Sequence, residues 1–337
     1  MSQERNKCID TVKGIACILV VFIHYPFPGE FGEFVKAIAR FAVPFFFMTS
    51  GYYFSSSYVL RMKDNNNHRN IRKIFMIILF STFYCEIFEV IHFKSLILAL
   101  QKQINPMSIL KLIFFNDTNN FVHLWYLWAI LYCYVIFSYL ERYPRKMNKV
   151  CFLPFLLTVG LILGTISRWF DIGEVYLYRN WLFVGMPFFS MGYVYRDKYS
   201  NVISKFRNKN VILIISIIAG FLLTAFESRL FGNLEIYVGT VILAFSVFAF
   251  CIENPRKEII KCISIYGQKY SMWIYILHWG IMHFEYKVMD LFHLNSNRVY
   301  LWMSPIILVI YTSLCAMVMV FILEQIKNRK RKRKNGY

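Results

Sequence analysis

The chain has 337 residues, 58% of them hydrophobic, 19% aromatic and only 17% charged, with a formal net charge of +19. Soluble domains sit near roughly 45–50% apolar and 25% charged. Here the apolar surplus lies in runs of roughly 16 to 24 residues, enough to cross a bilayer, which excludes a soluble globular enzyme. The basic residues collect between those runs, so the charge reports topology and not a nucleic-acid partner.

The pattern predicts an all-α polytopic membrane protein of about ten transmembrane helices, at residues 10–26, 37–58, 74–92, 121–140, 150–167, 181–195, 211–226, 236–252, 271–291 and 300–323. The first residues, 61–73, 141–149, 196–210, 253–270 and the tail 324–337 together hold 28 of the 38 Lys and Arg residues, and the alternate segments share the other 10. Short cytoplasmic segments carry such an excess. Both termini are therefore expected in the cytoplasm, on a plasma-membrane protein. Residues 1–326 form its membrane domain, and 327–337 form a basic tail able to bind anionic lipid. The eight cysteines are scattered, mostly within apolar runs, and predict neither disulfides nor a metal site. After the basic start, Pro26, Pro28 and bulky Phe follow the first run where a signal peptidase would need small residues, so that run reads as a retained span.

In the first span, Lys13 and His24 are eleven residues apart, which returns to within about 20° of one face after three turns and separates them by roughly 16 Å. An ionisable group carried into hydrocarbon usually faces a bundle interior or a water-filled cavity. Lys13 snorkelling to the headgroups, with His24 as an interfacial residue, is the other reading. The second span holds Pro44 and Thr49-Ser50-Gly51, suited to a kink lining a cavity or to tight helix packing. Before the third span, Arg69 and Arg72 share a face at a helix start, where the dipole and two guanidinium forks suit a phosphate; topological charge is the plainer reading.

Glu86 lies about 18 Å into the third span, at a depth like that of His24. It suits a carboxylate partner for the imidazole in a catalytic centre, or an ion pair with Arg40 or Arg179. Residues 93–115 alternate apolar and polar residues around Asn105-Pro106, as an amphipathic surface helix or a long loop does. His123, Trp125 and Tyr126 open the fourth span at the expected outer surface, as an aromatic belt or a stacking platform for sugar. In the ninth span His278 lies roughly 10 Å deep, seven residues before Glu285.

Lys13-x10-His24, Phe-Phe-Phe-Met-Thr-Ser-Gly-Tyr in the second span, Arg69-x-x-Arg72, His-Leu-Trp-Tyr-Leu in the fourth span and Ile-Tyr-Ile-Leu-His in the ninth occur in that order. Together they make the chain similar to the acyltransferase-3 family of bacterial membrane acyltransferases. The resemblance implies transfer of an acyl group, commonly acetyl, from cytoplasmic acyl-CoA to a hydroxyl of a cell-envelope carbohydrate. It implies His24 as catalytic residue and Arg69 and Arg72 as part of the CoA site. The family usually has Arg at the position of Lys13, whose point charge meets a phosphate without a bidentate fork.

The expected centre is thus His24 with Glu86. Lys13, Arg69 and Arg72 would bind the donor, and Ser50, His123, Trp125, Tyr126 and His278 would line the acceptor site. The donor is acyl-CoA, and membrane lipids and a lipid-linked or envelope sugar are the other partners. A transporter or flippase of a lipid-linked saccharide, with His24, Glu86 and His278 as relay groups, is the alternative from another class.

Overall fold

The structure, a computed structural model, describes residues 5–57, 68–93, 105–118 and 121–335. All regular elements among these are helical: α1 Lys7–His24, α2 Gly29–Ala39, α3 Ala42–Ser56, α4 His68–Phe93, α5 Pro106–Phe115, α6 Trp125–Leu140, α7 Leu156–Trp169, α8 Met186–Val194, α9 Lys209–Phe231, α10 Val238–Glu253, α11 Lys261–Lys269, α12 Ser271–Leu291 and α13 Arg298–Asn335. A 3-10 turn Asn148–Phe155 leads into α7, and π turns Trp181–Gly185 and Tyr195–Tyr199 flank α8.

Four stretches among the described residues are long and apolar enough to cross a bilayer, Val122–Leu140, Asn148–Trp169, Lys209–Phe231 and Arg298–Arg329, where the sequence predicts ten. The remainder fall short for identifiable reasons. α3, α8 and α10 have 15, 9 and 16 residues, less than a roughly 30 Å core needs of a straight helix. α1 carries Lys7, Asp10 and Lys13, and α12 carries His278, His283, Glu285 and Lys287. Only 17% of the apolar window of α9 is buried, and Ile212, Ile215, Ile218 and Leu222 point outward as lipid-facing side chains do.

The chain divides into two compact units. One comprises Met1–Ala39 with Asn254–Tyr337, the other Arg40–Glu253. In the first, Asn6 caps α1 by accepting from the Ile9 amide at 2.8 Å, and the helix ends at Tyr25 ahead of Pro26 and Pro28. Two helices here lie largely outside the expected spans. α2 occupies the stretch after the prolines and separates from α3 at Arg40-Phe41, inside the span expected at 37–58. α11 occupies the basic segment 253–270 and packs along α1, because Gly14 and Gly267 let the backbones touch. A Cβ on Gly267 would lie 2.0 Å from the Asp10 carbonyl oxygen. Arg5 Nε holds Asp10 at 2.6 Å, and Lys7 Nζ holds Glu258 at 3.2 Å. The hydrogen bond from Lys7 keeps the Glu258 carboxyl below its usual pKa.

The second unit is built on α3 against α8. Gly51 and Gly192 make that crossing, since a Cβ on Gly192 would lie 1.9 Å from the Met48 carbonyl oxygen. Phe54, Phe137 and Phe189 interlock behind it, the Phe137 and Phe189 ring centroids being 4.6 Å apart. α5 begins at Pro106, where Asn105 caps it through the Ser108 amide; it exposes Met107, Ile109, Leu110, Ile113 and Phe114 and is more apolar than the expected surface helix. Residues 94–104 of that stretch lie outside the described residues.

Candidate active site

In the first unit, the end of α1 and the middle of α12 bring two imidazoles together. The His24 and His278 ring centroids are 5.2 Å apart and the planes tilt by 37°, with Trp279 set edge-on to His24 at 6.1 Å. His24 is half-buried in the last turn of α1, whereas His278 is fully buried. His278 Nδ1 lies 3.2 Å from the Ile274 carbonyl oxygen one turn earlier. A carbonyl can only accept, so Nδ1 carries the proton in the neutral ring and Nε2 keeps its lone pair. Two turns beyond His278 on α12 the Tyr300 hydroxyl donates to buried Glu285, and three turns beyond it Tyr25 reaches Met289 Sδ at 3.0 Å. The seven-residue spacing of His278 and Glu285 thus gives two buried polar groups on α12, each met by a different helix. Lys13 sits half-buried within the field of Asp10, the residue that Arg5 already holds.

The second unit holds the other expected residues. Arg69 and Arg72 are both exposed in the first turns of α4, where unsatisfied amides and the dipole favour an anion. Ser50 and Tyr126 share a side-chain hydrogen bond, and Phe47 packs on Tyr126 at 4.7 Å. His123 is buried with Nε2 3.8 Å from Cys85 Sγ, next to Glu86 on α4. Trp125 is buried too, with the Arg179 guanidinium 5.5 Å over its ring. Neither His123 nor Trp125 therefore offers the free face that stacking on a sugar needs. Glu86 is half-buried and belongs to a different unit from His24.

The ion pair that the sequence offers to Glu86 is formed by another residue. Glu235, just before α10, takes Arg40 at 2.5 Å and Arg179 at 3.4 Å. Glu235 is missed by sequence reasoning because it falls between spans, where a carboxylate looks like loop solvation. The one signal is its place beside Asn233 and Gly232 at the expected outer end. Asn116, also missed, is buried with φ +49°; it donates to the Trp125 carbonyl at 3.0 Å and accepts from the Trp181 amide at 2.7 Å.

The family model described as "Acyltransferase domain" matches residues 6–324. The chain belongs to the acyltransferase-3 family. In this acyltransferase-3 protein the match runs through both units, from the cap of α1 into the apolar part of α13. A stretch of 169 residues is 31% identical to an amino-acid racemase of Enterococcus faecalis, covering 47% of this chain. The chain spans less than a quarter of that racemase, 23% of its length. No solved structure matches it. Membrane character and acyltransferase kinship are thus established together, the apolar helices carrying the first and the family match the second.

Proposed function

We propose that this protein is a ten-span plasma-membrane O-acyltransferase, with both termini cytoplasmic. It would move an acyl group, acetyl in the first instance, from cytoplasmic acyl-CoA to a hydroxyl of a cell-envelope carbohydrate or glycolipid. The observation that carries this reading is the pairing of His24 with His278 beside Trp279, in a chain that an acyltransferase family covers nearly end to end.

Acyl transfer to a hydroxyl needs a base near neutrality, and imidazole is the side chain that supplies one without a large perturbation. In this mechanism His24 takes the acceptor hydroxyl proton as the oxygen attacks the thioester carbonyl. The tetrahedral intermediate collapses with cleavage of the C–S bond, and the proton passes from His24 to the departing thiolate. His278, its tautomer set by Ile274, presents Nε2 as a neighbouring lone pair able to share the imidazolium proton. Arg69 and Arg72 would receive the phosphates of CoA, with Lys13 as a further cation. Ser50 and Tyr126 would be hydroxyl partners on the acceptor side. The racemase likeness covers too little of that enzyme to bring racemisation to this chain.

The test is transfer or hydrolysis of labelled acetyl-CoA by the purified protein. His24→Ala should reduce turnover about 10²- to 10⁴-fold, the usual contribution of a general base, while acetyl-CoA still binds. Arg69→Ala/Arg72→Ala should weaken binding instead. Three folded proteins that all fail to bind acyl-CoA would overturn the reading in favour of a transporter of lipid-linked saccharide.

A further inference from the structure

The helix α5 carries a single charged side chain in its ten residues, and that charge is turned away from its open face. Met107, Ile109, Leu110, Ile113 and Phe114 are 45–62% exposed. Lys111 instead reaches Glu174 at 3.7 Å and lies 4.5 Å over the Tyr176 ring. What α5 presents outward is hydrocarbon alone.

Its backbone is arranged to match. The ends of a helix in water leave their unpaired amides and carbonyls to the solvent. At the start of α5, Pro106 has no N–H to satisfy, the Ser108 amide donates to Asn105 Oδ1 at 2.8 Å, and the Ile109 amide donates to the Asn105 carbonyl at 3.1 Å. At its other end the Asn116 amide meets the Leu112 carbonyl at 2.9 Å, and the Tyr132 hydroxyl lies 3.2 Å from both the Leu112 and Ile113 carbonyls. Trp181 Nε1 donates to the Phe114 carbonyl at 2.9 Å. The bonds to Ile113 and Phe114 lie at the exposed surface of the unit, where water could have served. Side-chain donors at an exposed helix end add little in water and are required where water is absent.

The same bonds give the depth of α5. Asn116 donates to the Trp125 carbonyl at the first residue of α6, whereas Tyr132 stands seven residues, or roughly 10 Å, further along that helix. Helical side chains lean back toward the amino end by about a turn, which still leaves the Tyr132 hydroxyl short of Trp125. The carbonyls it meets therefore lie beside the apolar stretch Val122–Leu140, below its end. A surface helix would rest above it.

We infer that α5 lies within the hydrocarbon of the leaflet at the amino end of α6, and that the partner of its open face is lipid acyl chains. A second copy of the chain fits less well, because five side chains fall far short of the roughly 20–30 residues a side in a stable protein interface. The depth is independent of the transfer reading; that the leaflet is the outer one rests on the proposed topology.

The experiment uses the full chain without its native cysteines, in dioleoylphosphatidylcholine vesicles, with a nitroxide at Leu110→Cys or Phe114→Cys. Ile218→Cys on the lipid-facing side of α9 and Ser296→Cys in a loop are the references. Collisions with oxygen, which partitions into lipid, should exceed those with a water-soluble nickel chelate at both α5 sites, as at Ile218→Cys and opposite to Ser296→Cys. The labels should lie at least about 5 Å below the headgroups. Nickel access like that of Ser296→Cys would overturn the inference in favour of a surface helix. Exclusion of both reagents would overturn it in favour of a protein partner. Tyr132→Phe keeps the ring packed on Trp181 and removes only the hydroxyl. In hydrocarbon nothing replaces that donor, so the melting temperature in vesicles should fall; an unchanged one would return the carbonyls to water and overturn the inference as well.

Discussion

His278 is held from both sides of its ring, by the Ile274 carbonyl on its own helix and by His24 from α1. If it shares the proton, His278→Gln should lower kcat about tenfold or more with little change in KM, and should shift the acidic limb of the kcat profile. A ring needed only for packing would instead be replaced by Leu without loss. Asn116 tests a structural residue. Its amide bridges the Trp125 carbonyl and the Trp181 amide from a left-handed backbone position that asparagine tolerates and most side chains resist. Asn116→Ala strands both buried partners, and thermal unfolding in detergent should show a loss of about 2–4 kcal/mol. Asn116→Gly, which relieves φ but restores no bond, should recover only part of it.

Helices in hydrocarbon gain little from burying apolar surface, because lipid is as apolar as leucine; close backbone packing carries the association instead. The Gly51 and Gly192 crossing of α3 and α8 has no slack, because the nearest atoms to an added Cβ are main-chain oxygens. Gly192→Ala should cost about 1–3 kcal/mol, read as a lower melting temperature, while Ala at exposed Gly173 should be neutral. At the start of α1 the Lys7–Glu258 pair gives a pH dependence of known sign. The folded carboxyl has the lower pKa, so its stabilising effect is present above the unfolded value and is lost as pH falls through the folded one. Lys7→Gln should flatten that acid slope of stability, and an unchanged slope would place the titration elsewhere.

At the scale of the whole molecule, charge contacts within each unit sort by expected membrane side. In the second unit Arg40, Arg179, Glu235 and Asn233 meet at expected outer ends of spans, while Glu253 with Lys209, Tyr195 and Ser200 meets at expected inner ends. In the first unit Arg5, Asp10, Lys7 and Glu258 lie together at the expected inner side, and Asp290 and Asn295 at the outer. Exposed Cys262 in α11 should therefore resist a membrane-impermeant maleimide in intact cells and react once they are opened, in a variant lacking the other cysteines. Ser296→Cys should react in intact cells. The reverse pattern would invert the topology.

Apolar runs, basic intervals and five short motifs in order were enough to read an all-helical membrane acyltransferase, because hydropathy and charge act locally and survive without knowledge of partners. Lys13, His24 and Glu86 were likewise legible as ionisable groups that a span does not carry freely. The pairing of those groups was not. Glu86, inside a span, drew the offer of Arg40 or Arg179, and only the convergence of segments far apart in sequence gave both arginines to Glu235, which lies between spans. The same holds for α2 and α11, which lie largely between expected spans and take their helical places from the faces they pack. Which helix touches which, and so which imidazole, carboxylate and guanidinium share a site, is decided by long-range packing that no local period encodes.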